Sequence, residues 1–266
     1  MGDEMDRKRL GLVLGTALVL VMASRAVALT LPLGYLAPAS WPDAAKILTP
    51  PPTTGSAREA QDQSVFVATR ALEGSPRWAL AQNDVSSLPD AMLKNFSCAV
   101  GVDLTPQTSP KLNNMMTRIG IDAGRQVTGV KEVFKRPRPY LITPGNICVA
   151  KTDALAASPD YPSGHATWGW ALGLILAEIA PDRATPILVR GRVFGESRVI
   201  CGVHSPSAVE AGRTNAASLV AALHGNADFR QDLEGVRGEM AALRKSAPAS
   251  TRACADEAAL IAKAPY

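Results

Sequence analysis

The chain has 266 residues, of which 47% are hydrophobic and 20% charged, a composition that suits one sizeable globular domain and excludes a disordered chain. Its formal net charge is only +4 and is not concentrated in a block of like charges, so composition gives little support to a nucleic-acid or membrane-surface role.

The first 28 residues have the pattern of a secretion signal. The basic residues Arg7–Arg9 precede the apolar run Leu10–Ala23, and the small residues Ala26–Ala28 offer a cleavage site. The run is short for a membrane-spanning helix, which needs about 20 apolar residues. We therefore expect residues 1–28 to be a removed signal peptide, with residues 29–266 as a single domain that has no stable membrane insertion.

The four cysteines, Cys98, Cys148, Cys201 and Cys254, form an even set in a chain that carries an export signal. None belongs to a Cys-x-x-Cys pair, which would indicate zinc binding or thiol redox chemistry. We expect two disulfides, and three pairings are open. A periplasmic or secreted protein fits both observations.

Helical periodicity dominates the chain after a proline-rich beginning. The segment from Leu29 to about Gly55 predicts an extended arm laid over the domain. Apolar residues between Leu112 and Phe134 then recur at three- and four-residue spacing, which predicts one face of a long helix. The run Ala166–Ala180 is apolar on nearly all sides and predicts a buried, central helix.

Three more helices are predicted after the buried one. The first is expected to use Asp182 as its N-cap and to run to about Arg198. The second starts at Ser205-Pro206, where serine caps and proline occupies the first turn. Residues 226–245 form an amphipathic third. Because alternating β patterns are scarce, the sequence predicts an all-α helical bundle.

Two cations near the end of the long helix suit an oxyanion. Lys131 is separated by six residues from Arg138, whose flanking prolines favour extended backbone and an outward-pointing guanidinium. Arginine binds phosphate through a planar fork, and lysine binds it as a point charge. Lys135 and Arg136 are better explained as solvated charges of the same turn.

The sequence Pro162-Ser163-Gly164-His165 stands at the start of the predicted buried helix. Free backbone N–H groups and the positive helix end favour an anion there, and Gly164 allows it to approach the backbone closely. Taken alone, the pattern is explained as well by a serine N-cap followed by a structural histidine.

A third group lies between the last two predicted core helices. Ser197-Arg198 is followed by His204 after five residues. Taken alone, Arg198 could complement a helix C-terminus, and His204 could be a buried structural histidine. His224 has no comparable neighbours and is assigned a structural role.

Together the three groups resemble the signature of the type 2 phosphatidic-acid phosphatase superfamily. That signature is Lys, six residues, Arg-Pro, then Pro-Ser-Gly-His, then Ser-Arg, five residues, His, three residues, Asp. Its parts occur here in the same order, as Lys131–Pro139, Pro162–His165 and Ser197–His204. The strongest resemblance is to the bacterial class A non-specific acid phosphatases, because Pro50–Pro52, Gly74–Trp78 and Tyr161 are also similar.

The resemblance implies a bundle of the vanadium haloperoxidase and acid phosphatase type that hydrolyses small phosphate monoesters at acidic pH without a metal or other cofactor. His204 would attack phosphorus and carry the phosphoryl group, and His165 would protonate the departing alcohol. The remaining site residues would bind the phosphate oxygens: Lys131, Arg138, Ser163, Gly164 and Arg198. Association into a homo-oligomer is left open.

Position 208 departs from the family pattern, because Ala208 stands where the signature has the aspartate that orients the nucleophilic histidine. Glu210 points about 200° away along a helix and is a poor substitute. Ser205 or Ser207 could offer a weaker oxygen. The sequence is therefore compatible with a slow enzyme, with a compensating group elsewhere, or with an inactive phosphate- or phosphoester-binding homologue.

Two further family activities were weighed. A vanadate-dependent haloperoxidase would share the oxyanion site, but those chains are typically much longer. An integral-membrane lipid phosphatase would need several spanning helices, which the sequence does not supply.

Overall fold

The computed structural model describes residues 33–246 and 251–266, and within these ranges the chain forms helices and no β-strand. The expected signal peptide, residues 1–28, lies outside the described residues. The α-helices are α1 (Ala44–Ile47), α2 (Ala57–Thr69), α3 (Pro76–Asn83), α4 (Pro89–Val100), α5 (Pro110–Phe134), α6 (Pro139–Ile142), α7 (Asp153–Ala157), α8 (Gly164–Ile179), α9 (Ala184–Ile200), α10 (Pro206–Gly225), α11 (Ala227–Ser246) and α12 (Thr251–Ile261). The predicted all-α fold is confirmed.

Helix α8 lies in the core because its sequence has no continuous polar face. Ala171, Leu172, Ile175 and Leu176 are at most 1% exposed, and the helix packs along both α9 and α10. Full burial of one such leucine or isoleucine stabilises the fold by about 1.5–3 kcal/mol. The prediction of a central, buried helix is confirmed.

Glycines let α9 and α10 approach α8 closely. A Cβ added at Gly191 of α9 would lie 3.0 Å from the carbonyl oxygen of Gly169, and one at Gly212 of α10 would lie 2.6 Å from that of Ser163. The second distance is too short for any side chain. Gly212 therefore holds α10 against the N-terminus of α8, where the Pro-Ser-Gly-His motif begins.

The described part of the predicted arm, from residue 33 on, lies over the domain, but it is not extended throughout, because it contains a 3₁₀ turn over Pro38–Ser40 and helix α1. Asp122 of α5 accepts the backbone N–H of Tyr35 at 2.6 Å, and Tyr35 is 5% exposed. The hydroxyl of Tyr161 donates to the carbonyl oxygen of Thr49 at 2.7 Å. This arm is thus hydrogen-bonded both to the long helix and to the residue before the second motif.

One predicted helix start is confirmed and another is wrong. Ser205 caps α10, since its Oγ accepts the N–H of Ala208 at 3.3 Å. Asp182 does not cap α9, because a short 3₁₀ turn over Pro181–Arg183 precedes that helix. The Asp182 carboxylate instead accepts from Arg244 of α11 at 2.8 Å.

Two disulfides select one of the three open pairings. Cys98 of α4 is bonded to Cys254 of α12, and Cys148, in the segment after α6, is bonded to Cys201 at the end of α9. The Cys148 N–H also donates to the carbonyl oxygen of Cys201 at 3.0 Å. The second disulfide therefore tethers the loop that leads to His204. In the described part of the chain, no helix combines the length and the apolar character that a membrane crossing requires.

Candidate active site

The three motifs meet at one end of the bundle. The long helix α5 ends just after Lys131, α6 begins just after Arg138, and α8 starts with Gly164-His165. Arg198 lies in the last turn of α9, and His204 lies in the short loop before α10. A direct contact between side chains of two motifs joins Nη1 of Arg138 to Nε2 of His204, at 3.1 Å.

Arg138 is extended, as predicted, but points inward, so the expectation of an outward guanidinium is wrong. Its backbone has φ −71° and ψ 151°, and its side chain is 5% exposed. Nε donates to the carbonyl oxygen of Ser158 and Nη1 donates to that of Val203, both at 2.7 Å. These two carbonyls hold the charge in the interior and fix the plane of the guanidinium beside His204.

Lys131 is also buried and shares a partner with Arg138. Its Nζ donates to the Oγ of Ser158 at 3.3 Å, and Nη2 of Arg138 donates to the same oxygen at 3.2 Å. Burial and the nearby Arg138 charge lower the pKa of Lys131 to about 8. Two cations held this close to each other favour the binding of an anion between them.

Arg198 is the least satisfied of the three cations. It is 4% exposed, and neither its Nε nor its Nη1 has a hydrogen-bond partner among the described residues. Burial, and then the charge of Arg138, lower its pKa to about 10. Buried guanidinium N–H groups are costly to leave unpaired, and an anion would satisfy both of these donors.

His204 is held in one tautomer by its two neighbours. Arginine can only donate, so Nε2, which faces Arg138, carries the lone pair. Nδ1 lies 2.9 Å from Oδ1 of Asp160 and carries the hydrogen. Burial and then the charges of Arg138, Lys131 and Arg198 lower the pKa of His204 well below 6.5. The neutral imidazole is therefore favoured, with the lone pair of Nε2 turned toward Arg138.

His165 lies on the other side of the site, in the first turn of α8. Its Nε2 lies 2.9 Å from the carbonyl oxygen of Val85 and must donate to it, and its ring stacks on Phe194 with centroids 5.8 Å apart. In the described chain, Nδ1 has no protein partner and is the nitrogen left for a substrate. Burial and the charge of Arg198 lower the pKa of His165 well below 6.5.

The start of α8 contributes backbone as well as side chains. Ser163 is the N-cap, since its Oγ accepts the N–H of Ala166 at 3.3 Å, which confirms the structural explanation for this serine. The hydroxyl hydrogen of a capping serine is still available to a ligand. Gly164 and His165 line a cavity of about 490 Å³ together with Lys131. His204, Arg138 and Arg198 are buried and do not line this cavity.

A second buried network surrounds Asp160, which the sequence reasoning did not select. Arg136 donates to Asp62 and to Ser207, at 2.8 Å and 2.7 Å, and its Nη1 lies 3.4 Å from Oδ2 of Asp160. The expectation that Arg136 is a solvated charge is therefore wrong, because it is 8% exposed and pairs with two buried carboxylates. Burial raises the pKa of Asp160, and the hydrogen bond from Ser205 and the Arg136 charge oppose that rise.

A third network supports Arg198 from behind. Arg190, which also belongs to α9, donates from both Nη atoms to Asp84, at 3.1 Å and 2.6 Å. Ser197 donates to Asp84 at 2.7 Å and accepts from Arg77 at 3.0 Å. The serine of the third motif therefore fixes the end of α9 and thereby the position of Arg198.

The other residues weighed from the sequence lie away from the reacting groups. Glu210 pairs with Arg58 at 3.3 Å on the surface, so the argument against it is confirmed. His224 pairs with Glu178 at 3.0 Å, in keeping with a structural role.

Comparison with known proteins agrees with this geometry. The PAP2 superfamily profile matches residues 114–231, which include all three motifs. An acid phosphatase of Zymomonas mobilis subsp. mobilis is 44% identical over 201 residues, covering 75% of this chain and 76% of that protein. A non-specific acid phosphatase of Providencia stuartii is 37% identical, covering 76% and 83% of the two chains, and one of Salmonella typhimurium is 34% identical, covering 73% and 78%.

An all-helical bundle with three buried cations around a neutral histidine defines a phosphatase of the PAP2 type. The chain belongs to the PAP2 superfamily, in the branch of the acid phosphatases.

Proposed function

We propose that the protein hydrolyses small phosphate monoesters at acidic pH, without a metal, through a phosphohistidine intermediate on His204. The unpartnered Nε and Nη1 of buried Arg198 carry this proposal, because an anion bound among the cations that surround His204 would give these donors a partner. Lys131 and Arg138 supply two more charges. Three fixed cations can stabilise the equatorial oxygens of a transferring phosphoryl group.

The first step forms a bond between Nε2 of His204 and phosphorus while the ester P–O bond breaks. The departing oxygen takes a proton from His165, for which Nδ1 is the available nitrogen. In the second step, water attacks phosphorus and the N–P bond breaks. His165 takes the proton of that water, which restores both histidines and releases inorganic phosphate.

The pKa of His165 supports an acidic working range. His165 must be protonated before it can donate to the leaving group. Burial and Arg198 lower its pKa well below 6.5, so the fraction of the free enzyme with a protonated His165 grows as the pH falls. A bound phosphate dianion favours the same protonated form.

The cavity beside His165 supports a small organic leaving group. It has a volume of about 490 Å³ and is lined by apolar and small side chains, among them Met116, Val127 and Trp168. A cavity of this size accommodates a compact alcohol or phenol.

The sequence left open an inactive phosphate-binding homologue because Ala208 offers no carboxylate to His204. The contact of Asp160 with His204 weakens that alternative. Turnover of an aryl phosphate in the presence of a chelator separates the two functions. A reaction with phosphate-labelled substrate, quenched in alkali because phosphohistidine survives there, should leave the label on His204. His224→Gln is the matched control and should label normally, whereas His204→Ala should not. Activity that is lost on chelation and restored by a divalent metal would contradict the proposal, as would label on another residue.

The haloperoxidase alternative has its own discriminating measurement. Vanadate should compete with substrate as an analogue of the transferring phosphoryl group. Peroxidase activity on addition of vanadate and peroxide would instead favour the haloperoxidase function.

We also propose that the protein is exported and works in the periplasm or outside the cell. The two disulfides support this, because such bonds persist in oxidising compartments. The intact mass of the exported protein should correspond to a chain that begins near Leu29 and has no free thiol. A retained leader, or four alkylatable thiols in unreduced protein, would contradict the proposal.

A further inference from the structure

We propose that Asp160 is the positioning carboxylate of His204, and that it takes over from the loop before α8 the role that the family signature gives to an aspartate at position 208. This inference rests on the proposed function of His204 as nucleophile. It concerns a residue that lies outside the signature and is 44 residues from His204 in the chain.

The contact has the geometry that a nucleophilic imidazole needs. Oδ1 of Asp160 accepts from Nδ1 of His204 at 2.9 Å, while Nε2 faces Arg138 at 3.1 Å. An acceptor on Nδ1 leaves the lone pair on Nε2, the nitrogen directed at the cations. When Nε2 binds phosphorus, the ring becomes positive, and a carboxylate 2.9 Å away stabilises that charge in a buried site.

Asp160 is itself held in place, because several groups donate to its carboxylate and its backbone is also hydrogen-bonded. Oδ1 also accepts the N–H of Ser205 at 3.1 Å, and Oδ2 accepts the Ser205 hydroxyl at 2.6 Å, with Arg136 at 3.4 Å. The backbone N–H of Asp160 donates to the carbonyl oxygen of Arg136 at 2.7 Å. The Ser205 oxygen already accepts from Arg136 at 2.8 Å and from the N–H of Ala208 at 3.3 Å, and the other partners can only donate. The arrangement therefore suits the ionised form of Asp160.

The surroundings of Ala208 explain why the carboxylate is at 160 and not at 208. Ala208 is fully buried in an apolar cluster with Val130, Tyr161 and Ala211. An aspartate at 208 would bury a second carboxylate beside Tyr161, the residue that follows Asp160. The two carboxylates would then compete for the single Nδ1–H of His204. Like charges in one buried site disfavour each other's ionised form.

The test compares two buried aspartates of one network. Asp62 pairs with Arg136 and accepts from Ser207, as Asp160 does with Arg136 and Ser205, but no hydrogen bond links Asp62 to His204. Asp160→Asn should lower kcat by about 10²–10⁴-fold with KM within about threefold, because the amide no longer stabilises the imidazolium while the phosphate-binding cations remain. Asp62→Asn should cost stability with a loss in kcat at least tenfold smaller.

Equal losses of kcat in the two variants would show a structural role and overturn the inference. A second variant does not depend on the folding of Asp160→Asn. Ala208→Asp should leave kcat unchanged or lower it, and a tenfold or greater rise would show that His204 lacks a carboxylate in the native chain, which also overturns the inference. Failure of the wild-type protein to label His204 would instead reject the proposed function itself.

Discussion

Replacing Arg198 by methionine should make the free protein more stable and inactive at the same time. Arg198 is a buried cation with two unpartnered donor atoms, which the proposed phosphate would satisfy. At about 1.4 kcal/mol for each pKa unit, the fall of its pKa from 12.5 to about 10 corresponds to roughly 3 kcal/mol against the charged form. Methionine keeps most of the apolar volume, so we expect Arg198→Met to raise the free energy of unfolding by about 1–3 kcal/mol.

Arg190 is the matched control because it lies on the same helix, is equally buried and is fully paired. Both Nη atoms of Arg190 donate to Asp84. Arg190→Met leaves that carboxylate buried without its cation, with Ser197 as a remaining donor, and should lower the free energy of unfolding by about 3–5 kcal/mol. The two substitutions remove the same chemical group, so opposite signs would isolate the effect of the missing partner.

The measurement is urea unfolding at pH 7 in a buffer without phosphate, repeated with phosphate added. Phosphate should stabilise the wild-type protein, by about 2.7 kcal/mol at a concentration one hundred times its Kd, and should have little effect on Arg198→Met. The reasoning is refuted if Arg198→Met is destabilised as strongly as Arg190→Met, or if phosphate stabilises Arg198→Met as it does the wild type.

Two other features give predictions of their own. Because Lys131 has a pKa of about 8 and is charged below it, the inhibition constant of phosphate should rise above pH 8 by up to about tenfold per pH unit, and Lys131→Arg should move that rise to higher pH; a constant value would contradict this. Removal of the Cys148–Cys201 disulfide by two alanines should lower kcat, because this disulfide tethers the loop that carries His204, the proposed nucleophile. Removal of Cys98–Cys254 should cost about 2–4 kcal/mol of stability and leave kcat unchanged, and equal losses of kcat would refute the distinction.

The fold was predictable because its helices carry local signals. The three- and four-residue spacing along α5 follows from burial of one face of that helix. The apolar run of α8 follows from burial of that helix on all sides. Ser205-Pro206 specifies the start of α10 through a local hydrogen bond. Asp182 has an equally suitable sequence, but a partner on a distant helix, Arg244, binds its carboxylate, and no local pattern encodes such a partner.

The site was predictable where spacing along the chain carries the chemistry. Lys131, His165 and His204 could be selected as candidates because each belongs to a motif whose parts are close in sequence. Asp160 was missed because its contact with His204 depends on how the loop before α8 packs against the loop before α10. Its only local signal is an acidic residue next to the second motif, in Pro159-Asp160-Tyr161, where a loop carboxylate is usually solvated.

The placement of a carboxylate at 160 and an alanine at 208 restricts the order in which substitutions can accumulate. A lineage that moves the carboxylate between these positions one change at a time passes through a chain with both acids or with neither. The chain with neither acid would lose the acceptor for the Nδ1–H of His204. The chain with both acids would keep an acceptor but would be less stable, because two carboxylates would be buried close together. With the role proposed for Asp160, selection for activity favours gaining Asp160 before losing the acid at 208. A sequence motif that requires an acid at 208 would then miss every chain with the acid at 160 alone.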